Sequence, residues 1–439
     1  MAAETTPVTA ARFLVVIGTR PEGIKLAPVI SALRARREVD VRVALTGQHS
    51  ALMDQVLDVF GLEPDWDLGI MREGQDLYDV AHACLDGLRT VVSEWRPDGI
   101  VVEGDTASVF LGSLVAFFER IRVVHVEAGL RSGDAWPQPP AAAFPDPWPE
   151  EMLRRLTGVV ADLHFAPTPL ARKNLLAEGI DPARVFVTGN PVVDALNSVV
   201  RQAYDIRNAD LAAALSTGRR IVLVTAHRRE SFGEPMRHAF HALRAVADRF
   251  DDVELLYPVH PNPNVRSMAG EVLAGHPRIR LTQPLDYRDL VLALSRSTLV
   301  MTDSGGIQEE APAFGVPVLV MRNVTERPEG VEAGVAALVG TDARAIEDLA
   351  TTLLATGDWS AIRRYNRLRI EGASPARAAT AVVADTRRPD SAVRDAFPNP
   401  YGDGRAGERI ADVLVHRFTG AFRTTADWPG AGEEAIGVP

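Results

Sequence analysis

The chain has 439 residues, a net charge of −11, and 46% hydrophobic and 24% charged residues, a composition typical of a folded globular protein with more than one hydrophobic core. The negative charge argues against a general affinity for nucleic acid or for anionic membranes. No apolar run approaches the roughly 20 residues that span a bilayer, and the one cysteine, Cys84, excludes a disulfide within the chain. We therefore expect a cytoplasmic protein that binds neither nucleic acid nor membrane.

The first part of the chain alternates short apolar runs with segments of helical periodicity. Residues 13–17 form a continuous apolar run, which predicts a strand buried on both faces of a parallel sheet. The loop after this strand carries Arg20, and Lys25 lies at the start of the next helix. Further strands are predicted at residues 41–45, 99–102 and 122–126. Strands that alternate with helices form right-handed crossovers, with ligands at the carboxyl ends of the strands.

A second alternating series begins at residue 220. Its predicted strands are residues 220–225, 254–259, 279–282, 299–302 and 316–321. The sequence thus predicts two doubly wound α/β domains of the Rossmann type, at residues 1–190 and 191–398.

Four segments have a less regular pattern. The proline-rich residues 135–147 predict an exposed loop, and residues 365–397 predict a partly mobile insertion in the second domain. Residues 399–418 combine a turn cluster with an amphipathic segment, which predicts a helix docked on the first domain. Residues 419–439 are rich in glycine, alanine and glutamate and predict a loose tail.

The turn Ser304-Gly305-Gly306 lies between a predicted strand and a predicted helix. Backbone N–H groups at the start of a helix have no partners within it, and glycines let an anion approach them closely, so this turn is a candidate phosphate site. Glu310 would lie about one helical turn further on, where a carboxylate can accept hydrogen bonds from ribose hydroxyls. The alternative is a simple turn in which Ser304 caps the helix.

The motifs disfavour a redox enzyme and a metalloenzyme. The first predicted strand is not followed by the Gly-x-Gly-x-x-Gly pattern of dinucleotide sites, and the ten histidines and one cysteine show no zinc-ligand spacing. A cleft between the two domains, with the Ser-Gly-Gly turn on one wall and Arg20 and Lys25 on the other, would suit a nucleotide sugar.

Several motifs, in one order, resemble the non-hydrolysing UDP-N-acetylglucosamine 2-epimerases from about residue 13 to residue 418. They are GTRPEGIK at 18–25, GDT at 104–106, HVEAGLR at 125–131, PEE at 149–151, AHRRE at 226–230, TDSGGIQEEAP at 302–312, ERPE at 326–329 and NPYGDG at 399–404. The resemblance implies a glycosyltransferase-B-like fold with the active site in the interdomain cleft. It also implies a UDP-sugar substrate, a homodimer and no cofactor. The implied reaction is epimerisation at C2 by elimination of UDP to 2-acetamidoglucal followed by re-addition.

The resemblance also assigns residues by position. The implied catalytic residues are Asp105, Glu127, Glu150 and His227. The implied substrate-binding residues are Arg20, Lys25, Arg154, Ser304, Gly305, Gly306, Glu310 and Arg327, with uracil near residues 284–290. A possible regulatory site for a second UDP-N-acetylglucosamine matches Gln48, His49, Gln75, Arg228 and His260. Because Ser50, Ala51 and Gly74 replace longer polar or basic residues there, we expect weak or absent allosteric activation.

Structural explanations remain open for the implied catalytic residues. Asp105 could cap the following helix, and Glu127 could be a buried partner of Arg131. His227 could be bonded to a backbone carbonyl, and Glu150 could complement the helix dipole.

Three other functions also remain open. A hydrolysing 2-epimerase would release N-acetylmannosamine and UDP, a glycosyltransferase of the same fold would require an acceptor, and a nucleotide-sugar sensor would bind without turnover. The sensor is suggested by Leu153, which stands where the family commonly has asparagine.

Overall fold

The computed structural model describes residues 10–47, 50–72, 74–132, 148–384 and 399–430. It contains two compact units, which we call unit 1, formed by Met1–Asn197 with Tyr401–Pro439, and unit 2, formed by Ser198–Pro400. The expected proline-rich loop at 135–147 lies outside the described residues. The division between the units lies a few residues after the boundary expected at residue 190.

Unit 1 contains seven strands and seven complete helices among its described residues, and α7 crosses into unit 2. The strands are β1 Ala11–Ile17, β2 Val39–Leu45, β3 Trp66–Asp67, β4 Gly99–Glu103, β5 Arg122–Val126, β6 Leu163–Ala166 and β7 Val185–Val187. The helices are α1 Arg20–Arg34, α2 Ser50–Phe60, α3 Leu77–Trp95, α4 Ala107–Phe118, α5 Glu150–Val160, α6 Pro169–Ala177, α7 Pro191–Val200 and, near the C-terminus, α17 Ala406–Thr419.

Unit 2 contains six strands and nine helices among its described residues. The strands are β8 Arg220–Thr225, β9 Val253–Pro258, β10 Ile279–Thr282, β11 Ser297–Thr302, β12 Val318–Val320 and β13 Ala336–Leu338. The helices are α8 Ala209–Ser216, α9 Glu234–Arg249, α10 Pro263–Val272, α11 Tyr287–Arg296, α12 Gly305–Glu310, α13 Pro328–Glu332, α14 Ala343–Thr356, α15 Ser360–Ile370 and α16 Pro375–Ala384.

The sheet of unit 1 has the strand order β3-β2-β1-β4-β5-β6-β7, and its recorded strand pairs are parallel. Leu14 and Val16 of β1 pack with Ile100 and Val102 of β4 in one core beneath α3 and α4. Helices α1 and α17 cover the opposite face of β1. Because both faces are covered, the strands are continuous apolar runs, as the sequence predicted.

The sheet of unit 2 repeats this plan, with the order β10-β9-β8-β11-β12-β13 and parallel pairs. Alternate residues of β8 enter different cores, since Val222 and Val224 pack beneath α9 and α14, whereas Ile221 and Leu223 pack beneath α8 and α11. The two sheets with interleaved helices confirm the predicted fold class of two doubly wound α/β domains.

Residues 365–397, expected to form a partly mobile insertion, contain regular structure up to residue 384. Helices α15 and α16 bury Tyr365, Ala378, Ala379 and Val382 in the larger core of unit 2. Exposed arginines interrupt the apolar periodicity of these helices, and burial decides their conformation instead. Residues 385–397 lie outside the described part.

The C-terminal segment packs on unit 1. Phe418 of α17 contacts Phe13 of β1 with ring centroids 4.7 Å apart. Residues after α17, expected to be a loose tail, include an ordered stretch in which Trp428 N–H donates to Val187 O at 2.7 Å and Asp427 accepts from Val187 N–H at 3.1 Å. This stretch covers the open edge of β7, and residues 431–439 lie outside the described part.

None of the helices in the described ranges has both the length and the apolar character needed to cross a membrane.

Candidate active site

The candidate site of unit 1 lies where the strand order reverses, at the carboxyl ends of β1 and β4. Strand β1 has β2 on one side and β4 on the other, so the loops after β1 and β4 diverge and leave a crevice, the usual ligand position in such folds. Gly18 lets the first loop approach α4, since a Cβ at this position would lie 2.5 Å from Ser108 Oγ. The second loop contains Asp105.

Glu22, in the first turn of α1, ties these two loops together. Its carboxylate accepts hydrogen bonds from Gly18 N–H at 2.6 Å, Thr19 Oγ1 at 2.9 Å and Thr106 Oγ1 at 2.8 Å. Burial raises the pKa of Glu22 to about 7, although these hydrogen bonds oppose the shift. The result is a fixed geometry for the loop that carries Arg20, which is half-buried as the first residue of α1.

Lys25 lies between two buried carboxylates. Its Nζ atom is 2.5 Å from Glu127 Oε2 and 3.0 Å from Glu103 Oε1, and Asn190 Nδ2 donates to Glu127 Oε2 at 2.8 Å. Glu127 is therefore held by Lys25 and Asn190. Arg131, the alternative partner considered from the sequence, donates to Glu178 at 2.7 and 2.5 Å.

The backbone turn at Glu127 is strained. Glu127 has φ +60°, a left-handed conformation that is uncommon for a residue with a Cβ. Gly129 in the same turn has φ +91°, and a Cβ there would lie 2.2 Å from Ala171 O. This turn aims the Glu127 carboxylate at Lys25 directly after β5 ends.

Asp105 is paired with Arg154. The guanidinium donates to Asp105 Oδ2 from Nη2 and, at 3.1 Å, from Nε, and Arg154 Nη1 donates to the fully buried Glu151 at 3.0 Å. The N-cap of α4 is Thr106, whose Oγ1 accepts from Val109 N–H. The capping role considered for Asp105 is thus filled by its neighbour. Glu150, half-buried, is the first residue of α5.

Two histidines are buried beneath this site on paired positions of β5 and β6. Burial lowers the pKa of His125 to about 4 and the pKa of His164 to about 3. His125 Nε2 lies 2.8 Å from Gly104 O, in the loop that carries Asp105. Both rings are therefore neutral at pH 7.

The candidate site of unit 2 lies at the corresponding reversal, between β8 and β11. Asp303, buried after β11, accepts the N–H groups of His227 at 2.7 Å and Arg228 at 2.8 Å, both in the loop after β8. Asp303 Oδ1 also lies 3.2 Å from His227 Nδ1. One carboxylate thus joins the two loops and lies beside the imidazole of His227.

His260 stacks on His227, with ring centroids 5.3 Å apart and planes 15° apart. Arg228 Nε donates to Asp303 O at 3.3 Å, and its Nη2 atom lies 4.0 Å from where a Gly305 Cβ would be. These contacts place His227, Arg228 and the Ser-Gly-Gly turn side by side.

Ser304 occupies the N-cap position of α12, but its side chain makes no capping hydrogen bond. Gly305 and Gly306 begin the helix, and Gly306 is exposed. A Cβ at Gly306 would approach Glu310 Oε1 to 3.3 Å, so the glycine keeps the space in front of Glu310 open. The short α12 continues directly into the 3-10 turn Ala311–Phe314.

Arg327 is bound to Glu309. The Arg327 side-chain Nε donates to Glu309 Oε1, and the Arg327 backbone N–H donates to Thr325 Oγ1 at 3.0 Å. Thr325 Oγ1 in turn donates to Gln308 Oε1 at 2.7 Å. The loop before α13 is thereby anchored to α12.

The described residues that were assigned to a possible regulatory site are divided between unit 1 and unit 2. Arg228 and His260 adjoin His227 in unit 2. In unit 1, Gln75 accepts from Arg72 N–H at 2.6 Å and donates to Ile70 O at 2.8 Å. Gln48 and His49 lie outside the described residues.

Sequence reasoning missed five buried residues of these sites: Glu22, Glu103, Glu151, Asn190 and Asp303. Glu22, Glu151 and Asp303 lay within the quoted motifs but were assigned no role. Glu103 ends an apolar strand and Asn190 precedes a proline. A polar residue at such a position marks a strand end or a turn more often than it marks a functional site. In the described part of the chain, no group of three His, Cys, Asp or Glu residues is arranged to hold a metal ion.

The comparisons with known proteins agree with one another. The family model described as UDP-N-acetylglucosamine 2-epimerase matches residues 31–383. The UDP-N-acetylglucosamine 2-epimerase of Yersinia pestis is 44% identical over 415 residues, covering 93% of this chain and all of that protein. That of Bacillus subtilis is 42% identical over 407 residues, covering 93% of this chain and 96% of its own.

A solved structure extends the likeness to the fold. The crystal structure of the Neisseria meningitidis UDP-GlcNAc 2-epimerase bound to UDP-GlcNAc has a TM-score of 0.75 and 35% identity, covering 92% of this chain and 99% of that one. On the family match, the identities and this structural likeness, the chain belongs to the UDP-N-acetylglucosamine 2-epimerase family.

Proposed function

We propose that the chain interconverts UDP-N-acetylglucosamine and UDP-N-acetylmannosamine without releasing free sugar. UDP would leave by anti elimination across C1 and C2 to give 2-acetamidoglucal, and it would add back to C1 as a proton is delivered to the other face of C2. The observation that carries the proposal is the pairing of Asp105 with Arg154 and of Glu127 with Lys25 at the ends of neighbouring strands.

The reaction needs groups that take and return a proton at C2. This proton is weakly acidic, so a positioned base is required on one face and a proton donor on the other, and each such transfer contributes on the order of 100-fold to 10,000-fold in rate. Asp105, Glu127 and Glu150 are the proposed groups. Opposite charges a few ångströms away favour the proton-accepting carboxylate form.

The departing UDP needs positive charge and N–H donors around the diphosphate. We assign this role to His227, Arg228 and the backbone N–H groups after Ser304, with Glu310 on the ribose and Arg20 and Arg327 as further binding residues. The proposal assigns UDP binding to unit 2 and the proton transfers to the carboxylates of unit 1. The Neisseria enzyme crystallised with UDP-GlcNAc supports this class of substrate.

We also propose a homodimer. Neighbouring helices α4 and α5 expose Phe117, Phe118, Leu156 and Val159 by 41 to 78%. Large exposed apolar side chains on packed helices favour contact with another protein surface. Sedimentation equilibrium should give twice the chain mass, and Phe118→Glu with Val159→Glu should yield a monomer.

Regulation by a second UDP-N-acetylglucosamine is expected to be weak. Gln75 uses both ends of its amide in local hydrogen bonds, and Ser50, Ala51 and Gly74 are short. Initial rates should therefore rise hyperbolically with substrate concentration. A sigmoidal curve, or strong activation of the reverse reaction by UDP-N-acetylglucosamine, would contradict this expectation.

A proton NMR time course of the purified chain with UDP-N-acetylglucosamine in deuterated water tests the main proposal. The expected result is UDP-N-acetylmannosamine with deuterium at C2. Free N-acetylmannosamine and UDP would show a hydrolysing enzyme instead. No product and no exchange would exclude epimerisation of this sugar, and turnover only with an added acceptor would indicate a glycosyltransferase.

A further inference from the structure

Glu151 is a buried carboxylate of unit 1 to which the mechanism above gives no task. It is the second residue of α5 and is fully buried. Helical side chains three and four residues apart lie on one face, so Arg154 and Arg155 of the same helix both reach it. Arg154 Nη1 donates to Glu151 Oε2 at 3.0 Å, and Arg155 Nε donates to Glu151 Oε1 at 2.8 Å. Each carboxylate oxygen therefore has its own guanidinium.

Arg154 extends these contacts to the loop after β4. Its side chain is buried, and its Nε and Nη2 atoms both donate to Asp105 Oδ2 while Nη1 donates to Glu151. One guanidinium thus joins two carboxylates on separate elements. Because the guanidinium is planar and its donors have fixed directions, the hydrogen bond at Nη1 sets the direction in which Nε and Nη2 point.

Glu151 is itself held from two further elements. Ser132 N–H, in the segment after β5, donates to Glu151 Oε2 at 3.2 Å. Arg155 Nη1 donates to Glu178 Oε1, at the C-terminal cap of α6, at 3.0 Å. Glu151 therefore has a fixed position from which it can orient Arg154.

We propose that Glu151 is a positioning residue that orients the Arg154 guanidinium and thereby holds the Asp105 carboxylate in place for proton transfer at C2 of the sugar. The inference rests on the proposed function, which gives Asp105 a share in that transfer. In the proposed reaction, one group takes a proton from one face of C2 as the C–H bond breaks, and another group delivers a proton to the opposite face. Asp105 needs a fixed position for either task, because proton transfer requires hydrogen-bond reach.

Glu254 in unit 2 has similar surroundings at the other end of a sheet. It is 1% exposed and pairs with Arg219 at 3.3 Å and with Arg280 at 2.8 Å. Arg280 also reaches a second carboxylate, Asp210, at 3.7 Å. Glu254 lies near the amino end of β9, whereas the proposed sites lie at the carboxyl ends of strands. It is therefore a matched control for the loss of a buried glutamate with two guanidinium partners.

The first test measures kcat in the NMR exchange assay for the wild type, Glu151→Ala, Glu151→Gln and the control Glu254→Ala. In Glu151→Ala, kcat should fall by about 100-fold, the loss known for a reacting group displaced by about 1 Å. Glu151→Gln should recover at least about tenfold of this loss, because the amide oxygen can accept from Arg154. UDP affinity, measured by calorimetry, should be kept in all variants, and the control should keep its kcat.

A double-mutant cycle tests whether Glu151 acts through Arg154. In the background of Arg154→Met, Glu151→Ala should change kcat by less than about twofold, the scatter of independent sites. In the background of Arg155→Met, Glu151→Ala should still lower kcat by about 100-fold. The second background is the matched control, since Arg155 binds the same carboxylate but has no recorded contact with Asp105.

A third readout does not need activity. Hydrogen bonds at both ends of a guanidinium slow its rotation about the Nε–Cζ bond. In ¹⁵N-labelled wild type, the Nη1 and Nη2 signals of Arg154, assigned from Arg154→Met, should therefore be resolved. In Glu151→Ala these two signals should merge as the rotation becomes fast.

Equal losses of kcat in Glu151→Ala and Glu254→Ala, or a loss that persists in full in the background of Arg154→Met, would overturn the inference. Merged Arg154 signals in the wild type would also overturn it. If Glu151→Ala does not fold, Glu151→Gln takes its place in the cycle, and the wild-type signals decide.

The failure of the proposed function gives a different result. A wild type without product or C2 exchange would overturn that function. Resolved Arg154 signals that merge in Glu151→Ala would then show that the failure does not lie in the orientation of this guanidinium.

Discussion

The six strands of unit 2 follow the same order as β3 to β6 of unit 1, yet different groups lie at the reversal of strand order in each sheet. At the reversal in unit 1, the groups are acidic and basic side chains in pairs: Asp105 with Arg154, and Glu127 with Lys25. At the reversal in unit 2, the groups are a glycine turn and backbone N–H groups, braced by Asp303. The sheet provides the position, and the loops provide the chemistry.

This difference matches the two tasks we propose. A phosphate is bound well by backbone N–H groups, which keep one charge state at all pH values of interest. Proton transfer at carbon requires groups that change charge during the reaction. Unit 1 should therefore respond to single charge changes and to pH more strongly than unit 2.

The largest expected effect is on catalysis in unit 1. Glu127→Gln keeps the shape of the side chain but removes the base, so kcat should fall by about 1,000-fold, within the range known for general bases. UDP affinity, measured by calorimetry, should change little. The NMR exchange assay measures kcat, with Glu254→Gln as the control. Equal losses of kcat and UDP affinity would break the division of tasks between the units.

The next effect is on the pH dependence of stability. His164 has a pKa of about 3 in the folded chain against 6.5 for the ordinary group, so the unfolded chain binds the extra proton between these values. Stability is complete above pH 6.5 and is lost as pH falls toward 3. His164→Leu removes this loss, which amounts to about 2.7 kcal/mol at about pH 4.5, two units below the ordinary pKa.

Denaturant unfolding at about pH 7 and about pH 4.5 measures this change. His276→Leu is the comparison in unit 2, where the ring is held by Asp248 at 3.0 Å. A wild type and His164→Leu that lose stability in parallel would show that His164 is protonated in the folded chain.

A smaller effect is expected from the ion-pair network of unit 1. Arg154→Met removes the guanidinium that pairs with both Asp105 and Glu151. The ion pair between Glu151 and Arg155 remains. The loss of charged hydrogen bonds at a buried group should lower the free energy of unfolding by about 2 kcal/mol. Arg344→Met is the control, because Arg344 pairs with Asp348 at the surface, at 3.6 Å. Equal losses in the two variants would contradict the importance of burial.

The smallest effect is expected in unit 2. Asp303→Asn can keep the one oxygen that accepts both N–H groups but removes its negative charge, so UDP affinity should fall by about tenfold, the difference between a charged and a neutral hydrogen-bond acceptor. Calorimetric titration with UDP measures the change, and Asp248→Asn, which changes an exposed carboxylate paired with His276, is the control. An unchanged affinity would show that the two loops hold their positions without Asp303.

Much of the fold could be predicted from local pattern. The run at residues 13–17 and its counterparts are apolar because both faces of each strand are covered, and this signal survives without knowledge of the partners. The helices at residues 365–384 were not predicted, because arginines on the outer faces of α15 and α16 interrupt the apolar periodicity. These helices are held by burial of Tyr365 and Ala378. Periodicity is weak where tertiary packing does the stabilising.

The sequence by itself determined the two doubly wound units and the strand ends that carry Asp105, Glu127 and the Ser-Gly-Gly turn, because apolar runs and motif order are local properties. Only the tertiary structure decided which charges meet. Lys25 and Glu127 are far apart in the chain, and Glu103 looked like the end of an ordinary strand. Ion pairs depend on distances of a few ångströms between separate elements, and spacing along one chain does not contain those distances.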